Sequence, residues 1–182
     1  MLSQKKARIT RMKIKKLISK RKINKRIRTI ARQINRDYAG QELLLVCILK
    51  GGVFYACELA KHINVPVEID FMKVSSYGRG TTSKGSIDIE QDLSTSIENK
   101  NVLIVEDIID TGITLSSLVP ILKEHGPASV SITTLLDKPS RRKENVDVDY
   151  VGFTIDDYFV VGFGLDYDQK YRELDYVGVV EK

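Results

Sequence analysis

The sequence has few of the residues that mark disulfide-stabilised, metal-binding or membrane-spanning proteins. It contains two cysteines, two histidines and no tryptophan among its 182 residues. Cys47 and Cys57 lie in apolar surroundings without a Cys-x-x-Cys or Cys/His cluster, so we expect two buried free thiols and no cysteine-based metal site. No apolar run approaches the length of a membrane span, and no signal-peptide core is visible. These absences favour a globular protein without a membrane segment, and we expect it in the reducing cytoplasm.

Acidic residues are absent from residues 1–36, although these hold 15 of the 29 Lys/Arg residues. The other 14 Lys/Arg residues and all 24 Asp/Glu residues lie in residues 37–182. Residues 1–36, which we call the leader, therefore carry a net charge of +15, and residues 37–182 carry a net charge of −10. Such a leader is attracted to phosphate backbones in a salt-dependent way, and we expect weak, non-specific polyanion binding through residues 1–36. Tyr38 is the only aromatic residue near these cations, so we expect little stacking on the bases of a nucleic acid.

Hydrophobic patterns divide the rest of the chain into alternating strands and helices. Isoleucines at positions 23, 27, 30 and 34, followed by Tyr38, predict an amphipathic helix. Ser19 is its candidate N-cap, but Lys20, Arg21 and Lys22 oppose the helix dipole, so we expect the first turn to fray. Continuous apolar runs predict buried strands at residues 43–49, 65–74, 102–105 and 128–136, with short strands near 150–154, 159–163 and 176–180. Helices are predicted around residues 54–63 and 114–125. This order predicts an α/β fold with a mostly parallel central sheet flanked by helices, as one domain at residues 19–182 after a basic extension at residues 1–18.

One stretch, residues 102–115, combines a buried strand with clustered carboxylates and a turn. Val102–Val105 form the strand, Glu106 and Asp107 follow it, and the run Asp-Thr-Gly-Ile-Thr at residues 110–114 opens the next helix. Ligands in parallel sheets lie beyond the carboxyl ends of the strands. A turn with hydroxyl and N–H groups at a helix N-terminus suits a phosphate, and the acids beside it suit a sugar diol or Mg²⁺. The stretch therefore predicts a site for a sugar phosphate.

The run V-L-I-V-E-D-I-I-D-T-G-x-T resembles the phosphoribosyl-diphosphate (PRPP) motif of type I phosphoribosyltransferases. Further segments resemble the hypoxanthine-guanine branch of that family over about residues 14–182: L-K-G-G at 49–52, S-S-Y-G at 75–78, D-K-P at 137–139, F-V-V-G-F-G-L-D-Y at 159–167 and the pair Tyr171-Arg172. The resemblance implies the type I fold with a small hood formed by the N- and C-terminal segments, in a homodimer or homotetramer. It also implies a Mg²⁺-dependent purine-salvage transferase that converts PRPP and hypoxanthine or guanine to IMP or GMP plus diphosphate.

The resemblance further implies which residues bind PRPP. Lys50, Gly51 and Arg172 would contact the diphosphate, and the Leu49–Lys50 peptide is often cis in the family. The 5′-phosphate cradle would consist of Thr111, Gly112, Ile113 and Thr114. Glu106 and Asp107 would hold the ribose hydroxyls and help place Mg²⁺, for which Asp166 would be a direct ligand. Asp110 would be the general acid/base that exchanges a proton with purine N7.

The resemblance implies a separate set of residues for the base. Phe159 would stack on the purine, and Lys138 would donate to its 6-oxo group, which an adenine amino group cannot replace as acceptor. The backbone carbonyls of Val160 and Asp166 would meet the 2-amino group of guanine. The loop at residues 75–86, with Ser76 and Tyr77, would close as a lid over the reaction. Taken singly, Phe159 and Lys138 would be interpreted as a core phenylalanine and a solvated lysine.

Two other interpretations of the basic leader remain open. The first is a regulator with the phosphoribosyltransferase fold that binds RNA through the leader. The second is an organelle transit peptide, since the leader is basic, acid-free and partly amphipathic. Against the second, the helical pattern of the leader merges with the body of the domain.

Overall fold

A computed structural model describes residues 12–76 and 87–181 of the chain. Its helices are α1 (Lys20–Asp37), α2 (Gly52–Ala60) and α3 (Ile113–Glu124), and a single 3₁₀ turn covers Pro139–Arg141. Six strands form the central sheet: β2 (Leu43–Ile48), β3 (Val67–Ser76), β4 (Ile87–Gln91), β5 (Asn101–Ile109), β6 (Ser129–Asp137) and β7 (Tyr150–Thr154). A second sheet contains β1 (Ile14–Ile18), β8 (Val160–Val161) and β9 (Val177–Val180).

The central sheet is almost entirely parallel and has the strand order β4-β3-β2-β5-β6-β7. Only the edge pair β3–β4 is antiparallel. The second sheet, of order β1-β9-β8, is antiparallel and joins the two ends of the described chain. We call this sheet, together with residues 162–176, the hood. The predicted fold class, a mostly parallel α/β sheet with a hood from the N- and C-terminal segments, is confirmed.

The sheet separates two hydrophobic cores because successive side chains of a strand point to opposite faces. Leu43, Leu45 and Cys47 of β2 pack with α1, α2 and the hood. Leu44, Val46 and Ile48 of the same strand pack with α3 on the other face. This two-sided burial explains why β2 is a continuous apolar run rather than an alternating one.

Helix α1 forms as its isoleucine pattern predicts. Ser19 caps it by accepting a hydrogen bond from Lys22 N–H, at 3.4 Å. The expectation that the first turn frays is wrong, because the helix already begins at Lys20. Four isoleucines, at positions 23, 27, 30 and 34, are fully buried against the first core. The chain leaves the helix at Tyr38 and turns at Gly40, whose φ of +75° suits glycine. None of the helices in the described ranges is both long and apolar enough to span a membrane.

The structure differs from the sequence-based expectations at both edges of the fold. Residues 14–18, assigned to the basic extension, form β1 and pair with β9, so the folded domain begins before residue 19. Strand β4 is not predicted by the sequence pattern, and it pairs with the end of β3. Cys47 is buried as expected, but Cys57 is exposed because it lies on the face of α2 opposite Tyr55, Ala56 and Leu59.

Asp70 fastens the loop after β4 to the central sheet. Its carboxylate accepts hydrogen bonds from the N–H and hydroxyl groups of Ser94 and Thr95 and from Phe71 N–H. Only 6% of the residue is exposed. Burial alone raises the pKa of Asp70, but these hydrogen bonds outweigh it and the pKa lies below its ordinary value.

We expect Asp70→Asn to lower the free energy of unfolding by about 1–3 kcal/mol at neutral pH, since an amide offers one acceptor oxygen and adds N–H groups that face donors. The folded-state pKa is lowered, so the carboxylate stabilises the fold above its unfolded pKa of about 4, and this contribution is lost as pH falls through the folded pKa. Urea denaturation at neutral and acidic pH measures both effects. The exposed Asp147→Asn is the control, and equal losses in the two variants would contradict the assignment.

Candidate active site

The carboxyl end of β5 is paired with a neighbouring strand on one side only. Strand β2 accompanies β5 only as far as Val105, whereas β6 continues beside it to Ile109. The prediction that the strand ends at Val105 is wrong, because Glu106 and Asp107 belong to β5. Pairing with β6 extends the strand and holds both carboxylates in fixed positions. The side of residues 106–109 that β2 leaves open is therefore available to other groups.

Three backbone segments meet at this open edge. A Cβ atom on Gly51 would overlap the carboxylate of Asp107, and a Cβ atom on Gly164 would overlap the carbonyl oxygen of Gly51. Gly164 also has a φ of +101°, in the left-handed region that favours glycine. The Leu49–Lys50 peptide is cis, as the resemblance implies. The turn after β2, the end of β5 and the hood are thus in direct contact.

The two neighbouring carboxyl groups at the end of β5 are poorly solvated. Burial, and then the charge of Asp107, raises the pKa of Glu106 well above its ordinary value. Burial raises the pKa of Asp107 to about 6, although a hydrogen bond from Ile108 N–H and the charge of Arg172 act in the opposite direction. A bound cation near the pair, or sugar hydroxyls that donate to it, would therefore stabilise the ionised carboxylates.

Two predicted phosphate-binding cations lie beside this pair. Arg172 donates to the Asp166 carboxylate at 2.7 Å and to the Gly164 carbonyl at 2.6 Å. The second oxygen of Asp166 accepts from Gln169 N–H at 2.8 Å, and Lys50 donates to the Gln169 side chain at 3.1 Å. One short hood segment thus connects both cations with the predicted metal ligand.

The predicted phosphate cradle forms a tight turn between β5 and α3. Gly112 has a φ of +80° and caps the helix, and Thr111 accepts a hydrogen bond from Ile113 N–H at 3.4 Å. The first N–H groups of a helix have no carbonyl partner within it. A cavity of about 120 Å³ lies between this turn and the end of β5, with Asp110 and Thr114 among its lining residues. Its shape and donors suit a phosphate group.

An arginine that sequence reasoning missed joins Asp110 to the segment before β8. Arg141 donates to the Asp110 carboxylate at 3.0 Å and to the Asp157 carboxylate at 3.3 Å. Arg142, the next residue, donates to the backbone carbonyl of Asp110 at 2.8 Å. Arg141 lies 31 residues from Asp110 and 16 from Asp157, so no local spacing pattern could have identified the cluster.

The predicted base-binding residues lie next to this cluster. Lys138 is 6% exposed, and its ammonium group donates to the Tyr158 carbonyl at 2.6 Å and lies 3.5 Å from the Asp157 carboxylate. Phe159 is 54% exposed and packs edge-to-face on Tyr167, with 5.6 Å between ring centroids. Its open ring face is available for stacking, unlike that of a core phenylalanine. Val160, also predicted for this site, is buried in β8.

The carboxylates fit a magnesium ion that is shared with a substrate but not one held by protein alone. Within residues 12–76 and 87–181, no group of three or more His, Cys, Asp or Glu side chains could hold a metal. Magnesium is usually bound by one or two carboxylates, substrate phosphates and water. Glu106 and Asp107 provide hard oxygen ligands with few neutralising partners, and each Asp166 oxygen keeps acceptor capacity beyond its one hydrogen bond. The donor set therefore suits shared coordination.

The predicted site residues that the structure describes thus lie at the carboxyl end of the central sheet or in the hood and loops beside it, with Ser76 at the outer edge. Ser76 ends β3 and pairs with Ile87 of β4, so its backbone lies at the edge strand. Tyr77 and most of the predicted lid lie outside the described residues. The closing function of that loop stays a prediction.

Comparisons with known proteins match this arrangement to one family. Residues 14–168 match the family model of the phosphoribosyl transferase domain. A hypoxanthine-guanine phosphoribosyltransferase from Streptococcus thermophilus is 48% identical over 170 residues, which cover 93% of this chain and 94% of that protein. A relative of the same name from Bacillus subtilis is 46% identical over 167 residues, covering 92% and 93%. A crystal structure of a hypoxanthine-guanine phosphoribosyltransferase from Bacillus anthracis, with HEPES in its active site, has a TM-score of 0.89 and 41% identity, covering 94% of this chain and 100% of that one.

Proposed function

The chain belongs to the phosphoribosyltransferase family, in its hypoxanthine-guanine branch, and we propose that it transfers the phosphoribosyl group of PRPP to hypoxanthine or guanine. The products are IMP or GMP and diphosphate. One observation carries this proposal: Arg141 pairs with both Asp110 and Asp157, and the ammonium group of Lys138 lies 3.5 Å from the same Asp157 carboxylate. These ion pairs support a common site in which the turn at residues 110–114 would hold the phosphate and the residues around Lys138 would hold the base.

The cleft can separate the charges that develop when the glycosidic bond breaks. The sugar becomes positive and the departing diphosphate negative, so donors and cations are needed beside the diphosphate. Lys50, Gly51 N–H and Arg172 would supply these donors, next to the acids of β5. Glu106 and Asp107 would accept hydrogen bonds from the ribose hydroxyls, and the turn at residues 111–114 would hold the 5′-phosphate. Asp110, at the start of that turn, would exchange a proton with purine N7.

The geometry around Lys138 supports selection of a 6-oxopurine. An ammonium group has three donors and no acceptor. One donor is used by the Tyr158 carbonyl, and the Asp157 carboxylate lies 3.5 Å away, so at least one donor remains for the base. A 6-oxo oxygen accepts this donor, whereas a 6-amino group does not. Phe159 would provide the stacking surface, and the carbonyls of Val160 and Asp166 would accept from the guanine 2-amino group.

Magnesium is part of the proposal through the residues that would hold it: Glu106, Asp107 and Asp166. When bound with PRPP, it supplies positive charge that offsets the charge of the leaving diphosphate. We keep the cytoplasm as the proposed compartment, supported by two cysteines that form no disulfide. The expected homodimer or homotetramer stays a prediction.

A turnover panel tests the proposal. The protein is incubated with PRPP, Mg²⁺ and each of hypoxanthine, guanine, xanthine, adenine and uracil, and nucleotide formation is measured by chromatography. We expect nucleotide from hypoxanthine or guanine and little from adenine or uracil. Product from uracil alone, or no product together with tight RNA binding, would favour a regulator with this fold over the purine-salvage enzyme.

A further inference from the structure

The outer surface of α1 carries an unusual excess of positive charge. The helix has eight Lys/Arg residues among 18, and its single acid, Asp37, is its last residue. Seven of the eight cations are exposed. We call five of them, which border one shallow surface groove, the basic face: Lys20, Arg21, Lys25, Arg28 and Arg32.

The spacing of these cations places four of them in one row. Residues 21, 25, 28 and 32 are separated by steps of four, three and four, which brings them to the same side of a helix. At 1.5 Å per residue the row is about 16 Å long. A nucleic-acid duplex carries one negative charge per roughly 1.7 Å of its axis, so the row spans several phosphates.

The rest of the described chain does little to neutralise the basic face. Lys20 forms an ion pair with Asp175 at 3.3 Å. Arg32 donates only to the neutral hydroxyl of Thr29, at 3.2 Å. No salt bridge joins Arg21, Lys25 or Arg28 to an acid in the described ranges. Since residues 37–182 are net acidic, positive potential is concentrated on this side of the molecule.

The apolar side of α1 is fully used by the fold, which argues against a lipid surface as partner. Ile23, Ile27, Ile30 and Ile34 are fully buried in the first core. A helix that binds a bilayer needs such an apolar face free to enter it. The exposed side also has no aromatic residue, so it cannot stack on unpaired bases. The remaining chemistry is contact between cations and backbone phosphates.

We infer that the basic face binds the phosphodiester backbone of a nucleic-acid duplex without reading its sequence. None of its five cations belongs to the proposed catalytic cleft, so this binding is a function additional to phosphoribosyl transfer. It also assigns the polyanion affinity expected for residues 1–36 to a folded, described surface.

The test is fluorescence anisotropy with a mixed-sequence RNA duplex of about 20 base pairs, titrated between roughly 50 and 200 mM salt, where such binding changes most. Wild type is compared with Arg28→Gln/Arg32→Gln and with the control Lys61→Gln/Lys123→Gln, which removes equal charge from exposed positions outside α1. Log affinity falls with log salt, and each lost phosphate contact should make this negative slope shallower by about 0.9. We therefore expect the slope of the helix variant, and only that variant, to be shallower by about 1.8. A DNA duplex of the same sequence should give a similar result. All three proteins keep residues 1–11 intact.

Several outcomes would overturn the inference: no duplex binding by wild type at low salt, equal losses in both double variants, or unchanged binding by the helix variant. Retention of wild type on anionic phospholipid vesicles but not on RNA would overturn it in favour of a membrane surface. Thermal unfolding confirms that each variant is folded. If the double variant is not, the single variant Lys25→Gln, with an expected slope decrease of about 0.9, replaces it. Nucleotide formation is assayed separately, so failure of the enzymatic proposal does not affect this result.

Discussion

Replacement of Asp110 by asparagine is expected to lower kcat for nucleotide formation by ~10²–10⁴-fold, the usual contribution of a general acid/base. The amide keeps the size of the side chain and can still accept from Arg141, but it cannot exchange a proton with purine N7. The KM for PRPP should change much less, because the turn at residues 111–114 and the cations beside Asp166 remain. Steady-state kinetics at saturating PRPP and hypoxanthine measures the effect.

Arg141→Met separates proton exchange from positioning. It removes the cation that pairs with both Asp110 and Asp157 while leaving the Asp110 carboxylate itself, so we expect a smaller loss of kcat than in Asp110→Asn. Arg141→Lys should recover part of that loss, since an ammonium group can reach one of the two acids. Near-normal turnover by Asp110→Asn would remove the acid/base assignment, and a larger loss in Arg141→Met would show that the ion pair is the more important feature.

Substitution of Lys138 by alanine is expected to weaken the preference for 6-oxopurines over adenine on the order of 10²-fold, because discrimination depends on a donor placed against the 6-oxo oxygen. The ratio of kcat/KM for hypoxanthine and adenine measures this change. Lys138→Met is the matched variant, since it keeps the apolar stem and most of the volume of a residue that is 6% exposed. Both substitutions should reduce selectivity, and the methionine variant should disturb packing less.

The opposite pattern would reassign Lys138. If the KM for PRPP rises while base preference is unchanged, the lysine contributes to PRPP binding and not to selection of the base. Thermal unfolding of both variants distinguishes a local change in the cleft from a loss of folded protein.

The interior of the fold could be predicted because its signals are local. Strand β2 is a continuous apolar run, and α1 has isoleucines at helical spacing with Ser19 before it. The short apolar run indicates a strand buried on both faces, and the isoleucine spacing indicates a helix buried on one side. The turn at residues 110–114 likewise contains its own evidence, since acids, hydroxyls and a glycine follow a buried strand within a few positions.

The edges of the fold could not be predicted because their signals are distant. Strand β1 has the sequence Ile-Lys-Lys-Leu-Ile, which is basic rather than strand-like, and it forms because β9 offers a partner more than 150 residues later. The extension of β5 to Ile109 similarly depends on β6. The partners of Arg141 could not be predicted either, since both acids lie far away in the chain. In each case the determining contact is tertiary.

The pairing of β1 with β9 connects the two ends of the described chain to the residue proposed to stack on the base. Lys13 lies against Glu181 in both an ion pair and a backbone hydrogen bond, and Val180 N–H holds the Phe159 carbonyl. Because β1 and β9 are antiparallel, a force that draws the termini apart would break their hydrogen bonds one after another, starting near Ile14 and Val180. The stacking surface would loosen first, while the cradle at residues 111–114 stayed anchored in the central sheet.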